Sequence, residues 1–186
     1  MQGAKPTSRS PFRFAGLLAS FLMSAGTASA WDVCANFGAT ELVGGMTYCV
    51  ASVLPSSNVA SYGPDNLFDG IGQTAWCEGS PGQGVGQRIV IYIHNGAPFR
   101  QLLIRIGYGK SGQTYGRNSR PSLVRITTDR GTTHDVNLPD YHGELALPMP
   151  ALATYSSVTL EILAVYPGSN YQDTCISEFY PDFEYQ

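Results

Sequence analysis

The chain has 186 residues, 43% hydrophobic, 11% aromatic and only 13% charged, with a net charge of −3. No run of Lys or Arg breaks this acidic, low-charge balance, so a nucleic-acid partner is excluded and a neutral partner fits better. In chain order, the first thirty residues have the layout of a cleaved secretory signal: a basic start (Lys5, Arg9, Arg13), an apolar segment "AGLLASFLMSAGTA", and "ASA" ahead of Trp31. The apolar run is too short, and too diluted by Ser, Gly and Thr, to span a bilayer as about 20 residues would. The expected mature chain, residues 31–186, loses three of eleven basic residues and none of fourteen acidic ones, and so carries −6. Its length suits one domain with a real core. No later segment reads as a membrane span, and a secreted location, periplasmic or extracellular, is expected.

Helix signals are almost absent beyond the signal. Short runs with a period of two recur instead, separated by Gly, Pro, Asn and Asp. "QRIVIYI" (87–93) puts Ile89, Ile91 and Ile93 on one face, and "RQLLIRI" (100–106) does so with Leu102, Ile104 and Ile106. "SLVRITT" (122–128) aligns Val124 with Ile126, and "SVTLEILAV" (157–165) aligns Val158, Leu160 and Ile162. Further strands are expected at 48–53, 133–138, 144–147 and 174–179. This patterning predicts an all-β sandwich or barrel. Two long segments, 54–87 and "GYGKSGQTYGRNSRP" (107–121), resist strand assignment, and their Tyr and Trp content marks them as structured, functional loops.

Four cysteines (Cys34, Cys49, Cys77, Cys175) follow the signal, an even number in an exported chain, so disulfides are expected, with three pairings open. No C-x-x-C spacing occurs and the three histidines are scattered, which argues against zinc. "GSPGQGVGQ" (79–87) lacks the last glycine of a phosphate-cradling loop, since Gln stands at 87, and a strand follows it rather than a helix. No G-x-S-x-G or H-E-x-x-H motif is present, and Glu78 with Asp173 is not distinguished as a glycosidase pair, so no enzyme activity is expected.

Three stretches together carry a resemblance: "SVLPSSNVASYGPDNLFDGIGQTAWCEGSPGQGVGQRIVI", "IGYGKSGQTYGRNSRP" and "VYPGSNYQDTCISEF". In order and spacing they are similar to the bacterial discoidin-like domain called the NADase-type glycan-binding domain, also described as a translocation domain of bacterial NAD glycohydrolases. The likeness covers roughly residues 49–180, which divides the chain into a signal (1–30), an N-terminal extension (31–48) and the domain (49–186). It implies a discoidin-like, galactose-binding-like jelly roll of about eight strands, a lectin-like module whose loops at one end bind carbohydrate. The alternative function is a non-catalytic adaptor that docks another exported protein. The disulfides predicted with the resemblance are Cys34–Cys49, closing a hairpin-like N-terminal stretch, and Cys77–Cys175, tying the W-C-E-G loop to the C-terminal strand.

In the discoidin-like fold a structural calcium often sits where the first long loop meets the last strand, and calcium takes about six to eight oxygens. The resemblance places Asp69, Thr74 and Glu178 there; the alternative is that Asp69 closes its own turn and Glu178 pairs with an Arg. Glycan binding is expected from Tyr62 and Glu78 in the first loop, from Lys110, Tyr115, Asn118 and Arg120 in the second, and from Asp173 in "GSNYQDT". Arg117 in the second loop and Tyr171 in "GSNYQDT" supply further side chains of the same two kinds. Planar side chains stack on sugar rings, and amides, guanidinium groups and carboxylates reach the hydroxyls. The alternative for Arg120 is a brace to Glu78 or Asp173. Trp76 is expected to pack into the core.

Overall fold

The computed structural model describes Met1, Gly3 and residues 33–185; the signal segment and the cleavage point before Trp31 lie outside the described residues. Among the described residues, ten strands form two antiparallel sheets. They are β1 (Val33–Phe37), β2 (Met46–Val50), β3 (Trp76–Cys77), β4 (Arg88–Ile93), β5 (Phe99–Ile106), β6 (Arg120–Thr128), β7 (Thr133–Asn137), β8 (Leu145–Ala153), β9 (Ser157–Tyr166) and β10 (Cys175–Pro181). The larger sheet runs β1-β2-β4-β9-β6-β7 and the smaller β3-β10-β5-β8.

The alternation seen in the sequence sets the layers. Ile89 and Ile91 of β4, Val158, Leu160 and Ile162 of β9, and Val124 and Ile126 of β6 are wholly buried against Leu102 and Ile104 of β5 and Phe179 of β10. A one-residue slip in any of these strands would turn its apolar set to solvent, so each register is strongly specified. All eight expected strands are present, and β1 and β3 are additional. Residues 33–48, expected as an extension, instead supply β1 and the start of β2 to the larger sheet, so the domain begins before residue 49. β1 is a short run with no alternation to announce it.

Both disulfides join cross-strand neighbours: Cys34 faces Cys49 between β1 and β2, and Cys77 faces Cys175 between β3 and β10. Each staples an edge strand to its neighbour in the sheet. The second spans 98 residues of sequence, and on the chain-entropy model it stabilises by about 4–5 kcal/mol. Among the described residues no helix is long and apolar enough to cross a membrane.

Candidate binding cleft

The loop between β2 and β3 is organised from inside. A 3₁₀ turn at Pro64–Leu67 buries Leu67, and the Asn66 amide donates to Ser61 O at 2.9 Å and Ala75 O at 2.8 Å, which ties the two ends of the loop together. Trp76 is fully buried, as expected, and its indole N–H donates to Ser52 O at 3.0 Å. Phe68 stacks edge-on against Phe37 and packs on Tyr48. The Leu-Phe pair and the Trp therefore anchor the loop and leave Tyr62, half-buried, at its surface.

The second long loop holds a helix that sequence reasoning missed, α1 (Gly112–Arg117). Ser111 caps it: its hydroxyl accepts the Thr114 N–H at 3.1 Å while the Thr114 hydroxyl accepts the Ser111 N–H at 2.8 Å. This capping box is Ser-x-x-Thr rather than the commoner Ser-x-x-Glu, and two glycines lie within the helix, so the pattern carried little helical signal. At the other end the Asn118 amide donates to Thr114 O at 2.8 Å. The β9–β10 loop closes the remaining carbonyls: the Ser169 N–H donates to Gly116 O, and those of Asn170 and Tyr171 donate to Arg117 O. That approach needs Gly168, because a Cβ there would stand 2.4 Å from Arg117 O.

Three loops thus meet at one end of the sandwich around a cleft of about 340 Å³, lined by Leu54, Tyr62, Tyr108, Thr114, Arg117, Asn118, Tyr171 and Asp173. Tyr62 and Tyr108 meet edge to face at 6.1 Å, and burial, followed by Tyr62, pushes the Tyr108 phenol pKa up. The Arg117 guanidinium lies 5.4 Å from the centre of the Tyr171 ring and donates to its hydroxyl at 3.3 Å. Its Nε is buried without a partner. Of the residues offered for binding by the sequence, Tyr62, Arg117, Asn118, Tyr171 and Asp173 line this cleft; Tyr108, from "GYGKS", was missed by sequence reasoning and joins them.

The other expected residues stand elsewhere. Lys110 is exposed and outside the cleft lining. Glu78 is fully buried; its Oε2 accepts the Ser80 N–H and hydroxyl at 2.8 and 2.7 Å, and its Oε1 accepts the Thr174 N–H at 3.3 Å. It latches the loop before β4 to the approach to β10. Tyr115, expected in an exposed polar loop, is only 8% exposed. Its ring stacks on His142 at 4.6 Å and its hydroxyl donates to Asp140 at 2.8 Å. Burial, then the Asp140 carboxylate, raises its pKa well above the ordinary tyrosine value.

Arg120 is a brace, but to Asp140 rather than to Glu78 or Asp173. Its Nε donates to Asp140 Oδ1 at 2.7 Å and its Nη2 to Oδ2, and its guanidinium lies over the rings of Tyr115 and Tyr166 at 4.7 and 5.5 Å. The Arg120 hydrogen bonds hold the Asp140 carboxyl below its ordinary range. Asp140 sits in "LPDYHG" between β7 and β8, where nothing local in the sequence names Arg120 as its partner.

At the 69–74 turn, Asp69 Oδ1 accepts the Ile71 N–H at 2.8 Å and Oδ2 accepts the Thr74 hydroxyl at 2.7 Å. Glu178, 3% exposed, leaves Oε2 buried without a partner. Burial first, and then the Asp69 carboxylate, push its pKa up to about 7. Arg105, opposite Glu178 across β5 and β10, pairs instead with Glu144 at 3.4 Å. Among the described residues no three His, Cys, Asp or Glu side chains converge. An orphaned carboxylate oxygen beside a second carboxylate is the donor chemistry that a hard cation takes.

A family model described as NAD glycohydrolase translocation F5/8 type C domain matches residues 43–182. No curated protein matches the chain in sequence. Among solved structures, the family 32 carbohydrate-binding module of C. perfringens NanJ in complex with galactose superposes with a TM-score of 0.53 at 13% identity, over 73% of this chain and 92% of that one. The Clostridium perfringens module CpGH89CBM32-5, in complex with GalNAc-β-1,3-galactose, gives 0.52 at 17% identity, over 73% and 94%. A mycobacterial arabinofuranosyltransferase, AftD, contains a similar region, with a TM-score of 0.55 at 16% identity over 78% of this chain. The chain spans only 11% of AftD's length. At these identities the likeness is one of fold.

Proposed function

Because the chain belongs to the NAD glycohydrolase translocation F5/8 type C domain family, we propose that it is an exported, non-catalytic module that binds carbohydrate in the cleft between its β2–β3, β5–β6 and β9–β10 loops. One observation carries this reading: three tyrosine rings converge there with a guanidinium and a carboxylate that form no ion pair among the described residues. Aromatic faces stack on the C–H face of a sugar, and the two charged groups supply a donor fork and an acceptor for hydroxyls. Modules of the same fold that are complexed with galactose and GalNAc-β-1,3-galactose support it by analogy. The two disulfides support export, since such bonds persist in oxidising compartments. Glu78 is sealed away from the cleft, which removes it as a catalytic partner for Asp173.

A glycan array probed with the disulfide-bonded protein tests the reading. Binding to a defined set of glycans, lost in Tyr171→Ala, is the expected result. The family's description as a translocation domain and the exposed Val59 and Val85, 86% and 60% accessible, favour a second reading as a protein-docking adaptor. A blank array together with specific capture of one exported protein would decide for the adaptor.

We propose as well that Asp69 and Glu178 hold a structural calcium, with the Thr74 hydroxyl turned to serve it. Calcium should then raise the melting temperature by mass action on the native state, chelator should reverse the rise, and Asp69→Ala should erase the difference. Identical melting curves with calcium and with chelator would leave the turn closed by its own hydrogen bonds.

A further inference from the structure

Resting on the glycan reading, we propose that the cleft selects neutral sugars against uronic and other acidic ones, and that Asp173 is the residue that turns carboxylates away. The cleft lining contains one cationic side chain, Arg117, and one anionic side chain, Asp173. They do not neutralise each other: the ion pairs among the described residues are Arg105–Glu144, Arg120–Asp140 and Arg125–Asp135.

Each is held in place by contacts that leave its charge unspent. Arg117 rests on the Tyr171 ring with its Nε buried and unpartnered. The backbone of Asp173 is fixed where its carbonyl accepts the Ser119 N–H at 3.2 Å, while its half-buried carboxylate has no hydrogen bond or ion pair among the described residues. Two preset, opposite charges in about 340 Å³ call for a ligand that accepts from one and donates to the other. A hydroxyl does both, and neighbouring hydroxyls on one ring do so without net charge.

A sugar carboxylate would satisfy Arg117 alone and would share the cleft with the Asp173 carboxylate. Like charges confined to one cleft, partly shielded from water, weaken binding by on the order of tenfold. Amino sugars meet the reverse problem at Arg117. The tyrosines add stacking surface without altering this balance, and Lys110, which could have tipped it toward anions, stands outside the lining. Selectivity of this kind is built from a repulsive element as much as an attractive one.

The test is an NMR titration of the disulfide-bonded protein with matched probes: methyl β-galactoside and methyl β-glucoside against galacturonic and glucuronic acid. Wild-type protein should show shifts at Tyr62, Tyr108 and Tyr171 with at least one neutral glycoside, and its uronate counterpart should bind about tenfold more weakly. Asp173→Asn, isosteric and with its backbone hydrogen bond retained, should bring the uronate to within about twofold of the neutral sugar. Raising salt should leave the neutral affinity unchanged. A uronate that binds wild type as tightly as its neutral partner, or an Asp173→Asn variant with unaltered discrimination, would overturn the selectivity and leave the glycan reading standing. No response of the cleft to any glycoside or uronate would overturn both.

Discussion

Arg117 and Arg120 stand three residues apart, at the end of α1 and the start of β6, and their charges meet opposite fates. Arg120 is buried, bidentate to Asp140 and covered by Tyr115 and Tyr166. Among the described residues, Arg117 has one ring and one hydroxyl, and no carboxylate. The same residue type, in one loop, serves as a brace in one place and as an open donor in the other. Burial does not separate the two roles, since part of each guanidinium is shielded; what separates them is whether a neighbouring loop delivers an acid. Asp140 does so for Arg120. For Arg117 the β9–β10 loop brings backbone N–H groups to its carbonyl and a tyrosine to its side chain, and Asp173 stays unpaired.

Removing the brace should have the largest effect. Arg120→Ala leaves Tyr115 and Asp140 without their cation and should cost about 3 kcal/mol of stability, at the low end for a buried pair because Asp140 is partly solvated. A urea titration reads it, and a loss under about 0.5 kcal/mol would refute the structural role. Arg117→Ala should do the reverse. Stability should stay within about 0.5 kcal/mol, while glycan affinity falls by about 2 kcal/mol, roughly thirtyfold. Calorimetry on a glycan found by the array measures the second effect; equal losses of stability and binding would erase the distinction between the two arginines.

Glu178 sharpens the comparison as a third case, a buried carboxyl that forms no ion pair among the described residues. Its pKa in the folded chain is about 7, raised from 4.5 by burial and by Asp69. The folded state therefore holds this proton more tightly than the unfolded one. The stability it contributes is full below pH 4.5 and is lost as pH rises toward and through 7. In chelator, Glu178→Gln should flatten that slope and leave the protein about 1–2 kcal/mol more stable than wild type at pH 8. A wild-type stability that climbs from pH 4.5 to 7 would show that the side chain is ionised and paired. Asp140, shifted the other way by Arg120, is its internal contrast: its contribution is present above the ordinary carboxylate range and fades only as pH falls below it.

The amino-acid sequence by itself determined the strands and their faces, because alternation of apolar and polar side chains is local and a β-strand has no other way to bury one side. The eight strands read from that pattern are all in the sheets, and "SVTLEILAV" folds as β9 with Val158, Leu160 and Ile162 inward. Motif order added the family, and with it both disulfides. What the sequence left open was decided by loop packing across the domain. Tyr115 looked like a stacking ring in a polar loop until α1 turned it onto His142. Arg120 found its acid 20 residues away, in a loop that carried no signal of it. Arg117 and Tyr171, 54 residues apart, became one surface because Gly168 lets the β9–β10 backbone close on the end of α1. Periodicity reports which side of an element is buried, but pairing among charged loop residues depends on where the loop backbones come to rest. That is a property of the tertiary structure alone.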